Sequence, residues 1–312
     1  MCRQDYKMTE HFREYEHCTL CPRNCGVNRY EQVGFCGEPA NLSIDSFLLH
    51  FGEEPPITHK NGSGTVFFNG CSLRCPYCQN MQISQQPVRP NVYTMEDFVA
   101  GLERLIEQGA ENLNFVTPDH YLPHIIEAVK VLRKKGIDIP TVYNCSGYDT
   151  VDNLKAAAEV IDIFLFDYKY ADRECAAYCG TPNYPDVVTK GLDFILNTKG
   201  NLKLNDDGKA ISGTIVRHLV LPTFTENSVE VLNNLYFDYG NDICISIMAQ
   251  YDPMYLKPGL DRLSRRVTAE EYEQVVSLAE NLGFRNAYIQ DLPAEQDEYT
   301  PDFTEKSNFG KF

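Results

Sequence analysis

Three cysteines in one short loop have the spacing of a metal-cluster site. They lie in the segment GCSLRCPYCQN as Cys71, Cys75 and Cys78, directly after the apolar run TVFFN. Three thiolates on one loop can bind three irons of a [4Fe–4S] cluster, and the fourth iron then has no protein ligand. Such an open position is what a small molecule needs to bind the metal directly. A structural zinc site would need a fourth ligand, and the neighbouring residues offer none at a suitable spacing.

A second group of four cysteines precedes this loop. Its members follow a C-x2-C-x3-C-x10-C spacing and are Cys18, Cys21, Cys25 and Cys36. Four thiolates complete either a tetrahedral zinc site or an all-cysteine [4Fe–4S] cluster, and the spacing does not separate the two. We favour a second iron–sulfur cluster, because the first cysteine group already requires cluster assembly. Either the zinc ion or the cluster would also cross-link and stabilise a short segment that has little hydrophobic core of its own.

The composition is that of an average soluble globular protein. Of the 312 residues, 43% are apolar and 23% are charged. The formal net charge of −16 argues against a nucleic acid or an anionic membrane as partner. The opening segment lacks the apolar stretch of a signal peptide, and no apolar run approaches the roughly 18 residues that cross a bilayer. The sequence therefore predicts a cytoplasmic protein with reduced thiols, no membrane association and no nucleic-acid partner.

Most of the chain alternates short apolar runs with segments of helical periodicity. The runs of strand length are 65–69, 112–116, 140–144, 161–166, 214–220 and 243–248. The helical segments are 95–108, 121–135, 226–236 and 269–282. Buried strands that alternate with helices predict an α/β fold with a parallel sheet. Periodicity alone leaves open a full barrel, a partial barrel and an open doubly wound sheet.

We divide the chain into three parts by composition. Residues 1–45 form a cysteine-rich module that we expect to bind metal or an iron–sulfur cluster. Residues 46–290 carry the βα units. Residues 291–312 are polar and contain proline, which predicts a C-terminal extension along the surface. Four further cysteines lie outside the two groups, in addition to the N-terminal Cys2. We expect these four to be core or loop thiols rather than ligands: Cys145, Cys175, Cys179 and Cys244.

Several motifs together carry a resemblance to a known family. They are CTLCPRNCGVNR, GFCG, HFGEEPPI, GSGTVFFNGCSLRCPYCQN, NLNFVTPDHYLP, FDYKY, VRHLVLP and RVTAEEY. This set resembles the radical S-adenosylmethionine (SAM) enzymes, and among them the homologues of pyruvate formate-lyase activating enzyme. The resemblance covers roughly residues 18–290.

The resemblance implies a fold, two cofactors and a reaction. The fold would be a partial (β/α)6 barrel behind an N-terminal cysteine-rich module. A [4Fe–4S] cluster and SAM would be the cofactors, with a flavodoxin or ferredoxin as electron donor. Reductive cleavage of SAM would give a 5′-deoxyadenosyl radical that abstracts hydrogen, with a glycyl-radical enzyme or another peptide as substrate. Two alternatives stay open: modification of a peptide or small molecule by the same radical, and an iron–sulfur electron carrier without SAM chemistry.

The resemblance also implies contacts with SAM near the first strand ends. Tyr77 would be the aromatic residue beside the last cluster cysteine, close to the adenine. Thr117, Pro118 and Asp119 occupy the place of the Gly-Gly-Glu-Pro motif that holds the SAM amino group, although the glycine pair and the glutamate are absent. No residue is assigned a catalytic role beyond cofactor binding.

Further contacts are implied at the later strands. Asn144 and Ser146 fall where the family contacts the methionine or ribose part of SAM. Asp167 and Lys169 resemble an Asp-x-Lys pair, in which the lysine would meet the SAM carboxylate and the aspartate a ribose hydroxyl or a cation. Arg217 is a charge in an apolar run, so it faces a site or a partner, since an unpaired buried charge is costly. The alternative for the last three is a salt-bridge network inside the barrel.

Overall fold

A parallel sheet forms the centre of the molecule. The computed structural model describes residues 10–85 and 91–292. In these residues the strands are β1 (Leu42–His50), β2 (Ser63–Phe68), β3 (Val92–Tyr93), β4 (Leu113–Val116), β5 (Thr141–Cys145), β6 (Ile163–Asp167), β7 (Lys203–Leu204), β8 (Ala210–Leu219), β9 (Cys244–Met248) and β10 (Asn286–Ile289). Their order is β10-β9-β8-β6-β5-β4-β2-β1-β3, and β7 pairs with β8. From β2 to β10 along this path every neighbouring pair is parallel, whereas β1 runs antiparallel to β2.

The strands are connected by helices on the outer face of the sheet. The helices are α1 (Pro55–Thr58), α2 (Met81–Ser84), α3 (Met95–Glu107), α4 (Leu122–Lys134), α5 (Val151–Ala158), α6 (Arg173–Tyr178), α7 (Tyr184–Lys199), α8 (Thr225–Tyr239) and α9 (Ala269–Leu282). Capping boxes begin α3 at Thr94 and α9 at Thr268, because each threonine accepts a backbone N–H while the acidic residue three positions on accepts the N–H of the threonine. The observed bounds overlap all four predicted helices and all six predicted strands, which confirms them.

The sheet curves into a partial barrel. Glu53, in the loop after β1, accepts hydrogen bonds from Asn114 on β4, Asn144 on β5 and Arg217 on β8. In a flat sheet β4 and β8 would lie roughly 14 Å apart, so one side chain could reach both only across a strongly curved inner face. The edge strands β3 and β10 do not pair with each other among the described residues. The barrel has one more parallel strand than predicted, since β10 extends it beyond β9.

Two separate apolar cores pack against the two faces of the sheet. The larger core lies between the strands and the surrounding helices. The smaller one fills the interior with Val142, Ile163, Leu165 and Ile215, and Ile57 of α1 packs on them. These side chains come from the early or middle part of their strands. The N-terminal end of the barrel is therefore packed, and open space remains at the C-terminal strand ends.

The segment before β1 contains little regular structure. Its one helix among residues 10–41 is a 3-10 turn at Arg13–Tyr15. None of the described helices has the length and apolar character needed to cross a bilayer. Most of the C-terminal extension predicted at 291–312 lies outside the described residues, which end at position 292.

Candidate functional site

A cavity of about 770 Å³ opens at the C-terminal ends of the barrel strands. Its volume lies in the range of pockets that enclose small molecules. Ten of the residues singled out by sequence line it together: Cys71, Cys75, Tyr77, Cys78, Thr117, Asn144, Ser146, Asp167, Lys169 and Arg217. The barrel thus gathers side chains that are up to 146 positions apart in the chain. Pro118 and Asp119 are not part of the lining.

The three loop cysteines face this cavity as free thiols. The chain leaves β2 and turns back through Arg74, whose φ of 56° is left-handed. The Ser84 hydroxyl donates to the Cys78 sulfur over 3.3 Å. Burial, together with the neighbouring Asp119 and Cys78, raises the pKa of Cys71 to about 12. These buried thiols would release their protons on binding a metal.

The three loop cysteines match the ligand number of a [4Fe–4S] cluster with one open position. A [4Fe–4S] cluster binds each thiolate to a different iron, so its ligands stand farther apart than those of one ion. The loop after β2, with three cysteines beside an open cavity, would hold such a cluster and leave one iron without a protein ligand.

Lys169 and Asp167 form an ion pair at the end of β6. The ammonium group of Lys169 donates to Asp167 Oδ2, and both side chains are largely buried in the cavity wall. Burial on its own would lower the pKa of Lys169, but Asp167 and the thiolate forms of Cys75 and Cys78 outweigh it and raise the pKa. A cationic group therefore lies beside the cysteine loop, where an anionic part of a ligand would be stabilised.

Arg217 belongs to a buried charge network at the inner end of the cavity. Its guanidinium donates to both oxygens of Glu54 over 2.8 and 2.7 Å, to Glu53, and to Asn144 Oδ1 over 3.2 Å. Burial would raise the pKa of Glu53, but Arg217 outweighs it and lowers that pKa. Arg217 thus forms buried salt bridges, as in the alternative interpretation. Its side chain also borders the cavity. The next residue, His218, points to the opposite face and bonds Tyr168 O and Ser228 Oγ.

The segment after β4 divides between the cavity and the other side of the sheet. Thr117 has a left-handed φ of 54° and donates its N–H to Asn144 O over 2.9 Å. This turn sends the chain into the 3-10 helix Asp119–Tyr121, away from the cavity. Asp119 is therefore buried on the side of the N-terminal cysteines, and its Oδ2 has no hydrogen-bond partner. A contact between Asp119 and a ligand in the cavity would require a different course of this turn.

Sequence reasoning missed a part of the lining. It includes His50, Glu53 and Glu54 near the end of β1, Ser246 and Met248 of β9, and Tyr251 and Gln290. The β9 residues could have been found from the alternation of side chains along the predicted strand 243–248. His50, Glu53 and Glu54 stand in the motif HFGEEPPI, but no role was assigned to them because the antiparallel strand before them was not recognised.

A buried arginine lies beside the N-terminal cysteines. Cys18, Cys21 and Cys36 are buried, and Cys25 is partly exposed. A Cβ on Gly34 would lie 3.2 Å from the Cys36 sulfur and 3.7 Å from that of Cys25, so a side chain here would press against Cys36 and touch Cys25.

The buried arginine is Arg29, of which only 1% is exposed. Its guanidinium lies 4.4 Å above the ring centre of Tyr15 and 5.1 Å above that of Tyr121. Its Nε has no hydrogen-bond partner. Burial would lower its pKa, but Tyr15, Cys36, Tyr121 and Cys18 outweigh this when they ionise and raise it. A buried cation with a free N–H beside four thiols fits an anionic metal–thiolate centre.

The two cysteine groups are joined through their backbones. The N–H of Cys71 donates to the carbonyl of Cys36 over 3.2 Å. Arg23 donates to the carbonyls of Ser72 and Leu73 over 2.9 and 3.0 Å. The N-terminal segment therefore holds the loop that carries Cys71 in place.

Comparison with known proteins places the chain in a family. The family model described as the Radical SAM superfamily matches residues 65–236, which is more than half of the chain. The chain belongs to the radical SAM superfamily. Membership implies an enzyme that uses a [4Fe–4S] cluster and SAM, which agrees with three cysteines at the mouth of a cavity.

Two curated proteins and a solved structure are similar to this chain. An uncharacterized protein of Methanocaldococcus jannaschii, MJ0674, is 30% identical over 85% of this chain and 75% of its own length. The pyruvate formate-lyase-activating enzyme of Clostridium pasteurianum is 23% identical over 67% of this chain and 85% of its own length. The crystal structure of Streptococcus suis SuiB bound to precursor peptide SuiA has a TM-score of 0.48 and 11% identity. That match covers 71% of this chain and 46% of SuiB.

Proposed function

We propose that this protein binds SAM in the cavity and cleaves it reductively to start hydrogen abstraction from a substrate. The observation that carries the proposal is the meeting of Cys71, Cys75 and Cys78 with Lys169 on one cavity wall. A [4Fe–4S] cluster on these cysteines would supply one electron to SAM, which gives methionine and a 5′-deoxyadenosyl radical. The protein would orient SAM through Lys169 and the strand-end residues and would keep water from the radical.

We propose a protein or peptide as the substrate, with a glycyl-radical enzyme as the first candidate. The support is the likeness to the activating enzyme of Clostridium pasteurianum. The second candidate is a small molecule modified by the same radical. A low-potential donor of the flavodoxin or ferredoxin class would supply the electron.

The test is SAM cleavage by the cluster-loaded protein under anaerobic reduction with dithionite. We expect 5′-deoxyadenosine and methionine in equal amounts. An iron–sulfur electron carrier would take up the electron and leave SAM intact, so an absence of 5′-deoxyadenosine would overturn the proposal. Activation of a glycyl-radical enzyme would add a glycyl radical signal in electron paramagnetic resonance (EPR) of the partner.

We further propose that the N-terminal cysteines hold a second [4Fe–4S] cluster. The support is that the Cys71 loop already requires cluster assembly, and that the buried cation of Arg29 lies beside Cys18 and Cys36. Anaerobically reconstituted protein should then contain about eight irons and as many sulfides, rather than about four. Replacing Cys18 and Cys21 by serine should remove about half of the iron. One zinc with about four irons would contradict the second cluster.

Lys169→Met is expected to weaken SAM binding without loss of the cluster. A hydrogen bond to a charged group contributes roughly 1.5–3 kcal/mol, which corresponds to a dissociation constant about ten to a hundred times higher. The methionine keeps most of the buried side-chain volume. SAM affinity, iron content and thermal midpoint are measured together, with Lys155→Met at an exposed ion pair as the control. Unchanged affinity in a folded variant would remove Lys169 from the site.

A further inference from the structure

Arg23 reaches from the N-terminal segment to the Cys71 loop, which comprises residues 70–79. Its Nε donates to the carbonyl of Ser72 over 2.9 Å, and its Nη2 donates to that of Leu73 over 3.0 Å. These two carbonyls follow Cys71 directly. The guanidinium is a planar fork of donors, so bonding two neighbouring carbonyls fixes their relative orientation. Arg23 therefore restricts the course of the Cys71 loop just after its first cysteine.

The guanidinium of Arg23 also contacts two aromatic rings. It lies 4.3 Å from the ring centre of Phe35 and 5.1 Å from that of Tyr148, distances at which a cation is attracted by an aromatic face. Tyr148 is buried and stacks on Tyr184 with 6.1 Å between ring centres, so it is a fixed part of the barrel. Phe35 belongs to the N-terminal segment and precedes Cys36. Arg23 thus joins the N-terminal segment, the Cys71 loop and the barrel at one point.

Further contacts join the N-terminal segment to the same loop. The N–H of Cys71 donates to Cys36 O over 3.2 Å, and Arg74 Nη1 donates to Phe35 O over 2.9 Å. Gly70 has a positive φ of 79°, and a Cβ at this position would lie 2.9 Å from Cys36 O. The two segments therefore pack backbone against backbone, and a movement of one would disturb the other.

Arg23 also stands inside the N-terminal cysteine group, between Cys21 and Cys25. The N–H of Asn24 donates to Cys21 O over 3.0 Å, and the φ of Asn24 is left-handed at 44°, so the chain turns tightly here. A metal bound by Cys21 and Cys25 would fix both ends of this turn and with it the base of the Arg23 side chain. Because the segment before β1 contains little regular structure, metal ligation would supply much of its rigidity.

We propose that Arg23 is a positioning residue through which metal bound by the N-terminal cysteines holds the Cys71 loop in its metal-binding form. The inference rests on the proposed metal binding at both cysteine groups and not on SAM cleavage. Coupling between two sites is reciprocal, so a filled Cys71 loop would in turn stabilise metal at the N-terminal cysteines. The coupling changes the affinity of the loop for its cluster but not its ligands, so a cluster still forms there when the N-terminal thiols are lost.

The test measures how the Cys71 loop responds to a metal that it cannot bind itself. In the full-length variant Cys71→Ser/Cys75→Ser/Cys78→Ser, the probe is one equivalent of zinc, which the four N-terminal thiols can bind. Amide hydrogen exchange of residues 70–79 is followed by mass spectrometry with and without zinc. We expect zinc to slow this exchange about tenfold, within the range of roughly 5- to 150-fold that is usual for coupled sites. Exchange of the loop that zinc leaves unchanged would overturn the coupling.

Further substitutions in the same background identify the residue that carries the coupling. In Arg23→Gln, zinc should still slow exchange in residues 18–36 but no longer in the Cys71 loop. Arg23→Lys keeps the charge without the fork of donors, so it should retain only part of the effect. Arg13→Gln is the matched control, because Arg13 is an exposed arginine of the same segment, and the full effect should persist.

The zinc dependence separates positioning from a merely structural role. An arginine that only stabilised the fold would change the thermal midpoint and leave the zinc effect on the loop intact. A full zinc effect in Arg23→Gln or Arg23→Lys would therefore show that Arg23 is not the link. Since no step of this test uses SAM, the coupling can fail while SAM cleavage by the parent protein succeeds, and the reverse.

Discussion

Replacing any one of Cys71, Cys75 and Cys78 by alanine is expected to abolish the formation of 5′-deoxyadenosine. Each residue would be one of only three protein ligands, and the loop contains no spare thiol. The loss should exceed the roughly 10- to 100-fold effects that follow from changes outside the ligands themselves. The measurement is product formation per chain under anaerobic reduction, together with the iron content.

The matched control for these variants is Cys244→Ala. Cys244 is also buried, but it belongs to the apolar interior at the opposite end of the barrel. This variant should keep its SAM cleavage. Normal cleavage by the alanine variant of any of the three loop cysteines would show that the loop is not the site.

Arg217→Met is expected to lower the stability of the protein strongly. The substitution leaves the carboxylates of Glu53 and Glu54 buried without a cation, and breaking a buried ion pair on one side typically costs about 3–5 kcal/mol. The thermal midpoint of the cluster-loaded protein measures the effect. Arg285→Met serves as control, because that arginine forms an exposed pair with Asp242.

Rescue separates the charge effect from lost packing. In a variant that combines Arg217→Met with Glu53→Gln and Glu54→Gln, no unpaired buried charge remains. Much of the midpoint should then return. A normal midpoint in Arg217→Met alone would contradict the network, and a failure of the triple variant to recover would assign the loss to packing.

The parallel strands could be predicted because their burial on both faces gives continuous apolar runs. The run IDIFLF, for example, became β6 in the middle of the sheet. Strand β10 escaped prediction because it is a short edge strand whose residues are mostly exposed. Strand β1 runs antiparallel and carries Asp45 among its apolar residues, so it lacked such a run.

The site could be predicted in part for a similar reason. Cysteine spacing is a local signal, and it picked out Cys71, Cys75 and Cys78, which the structure brings together at the cavity. Long-range pairing leaves no local signal. Adjacent carboxylates usually point apart, yet Glu53 and Glu54 both reach Arg217, more than 160 positions away. The roles of the individual residues toward SAM stay predictions.

EPR of the reduced protein with and without SAM tests the central claim most directly. An iron without a protein ligand, turned toward the cavity, would bind SAM and change the spectrum of its cluster. We predict a clear change with the parent protein and none after Cys71→Ala, whereas Cys18→Ser should leave the SAM-dependent change in place. A cluster spectrum that is identical with and without saturating SAM would contradict the account.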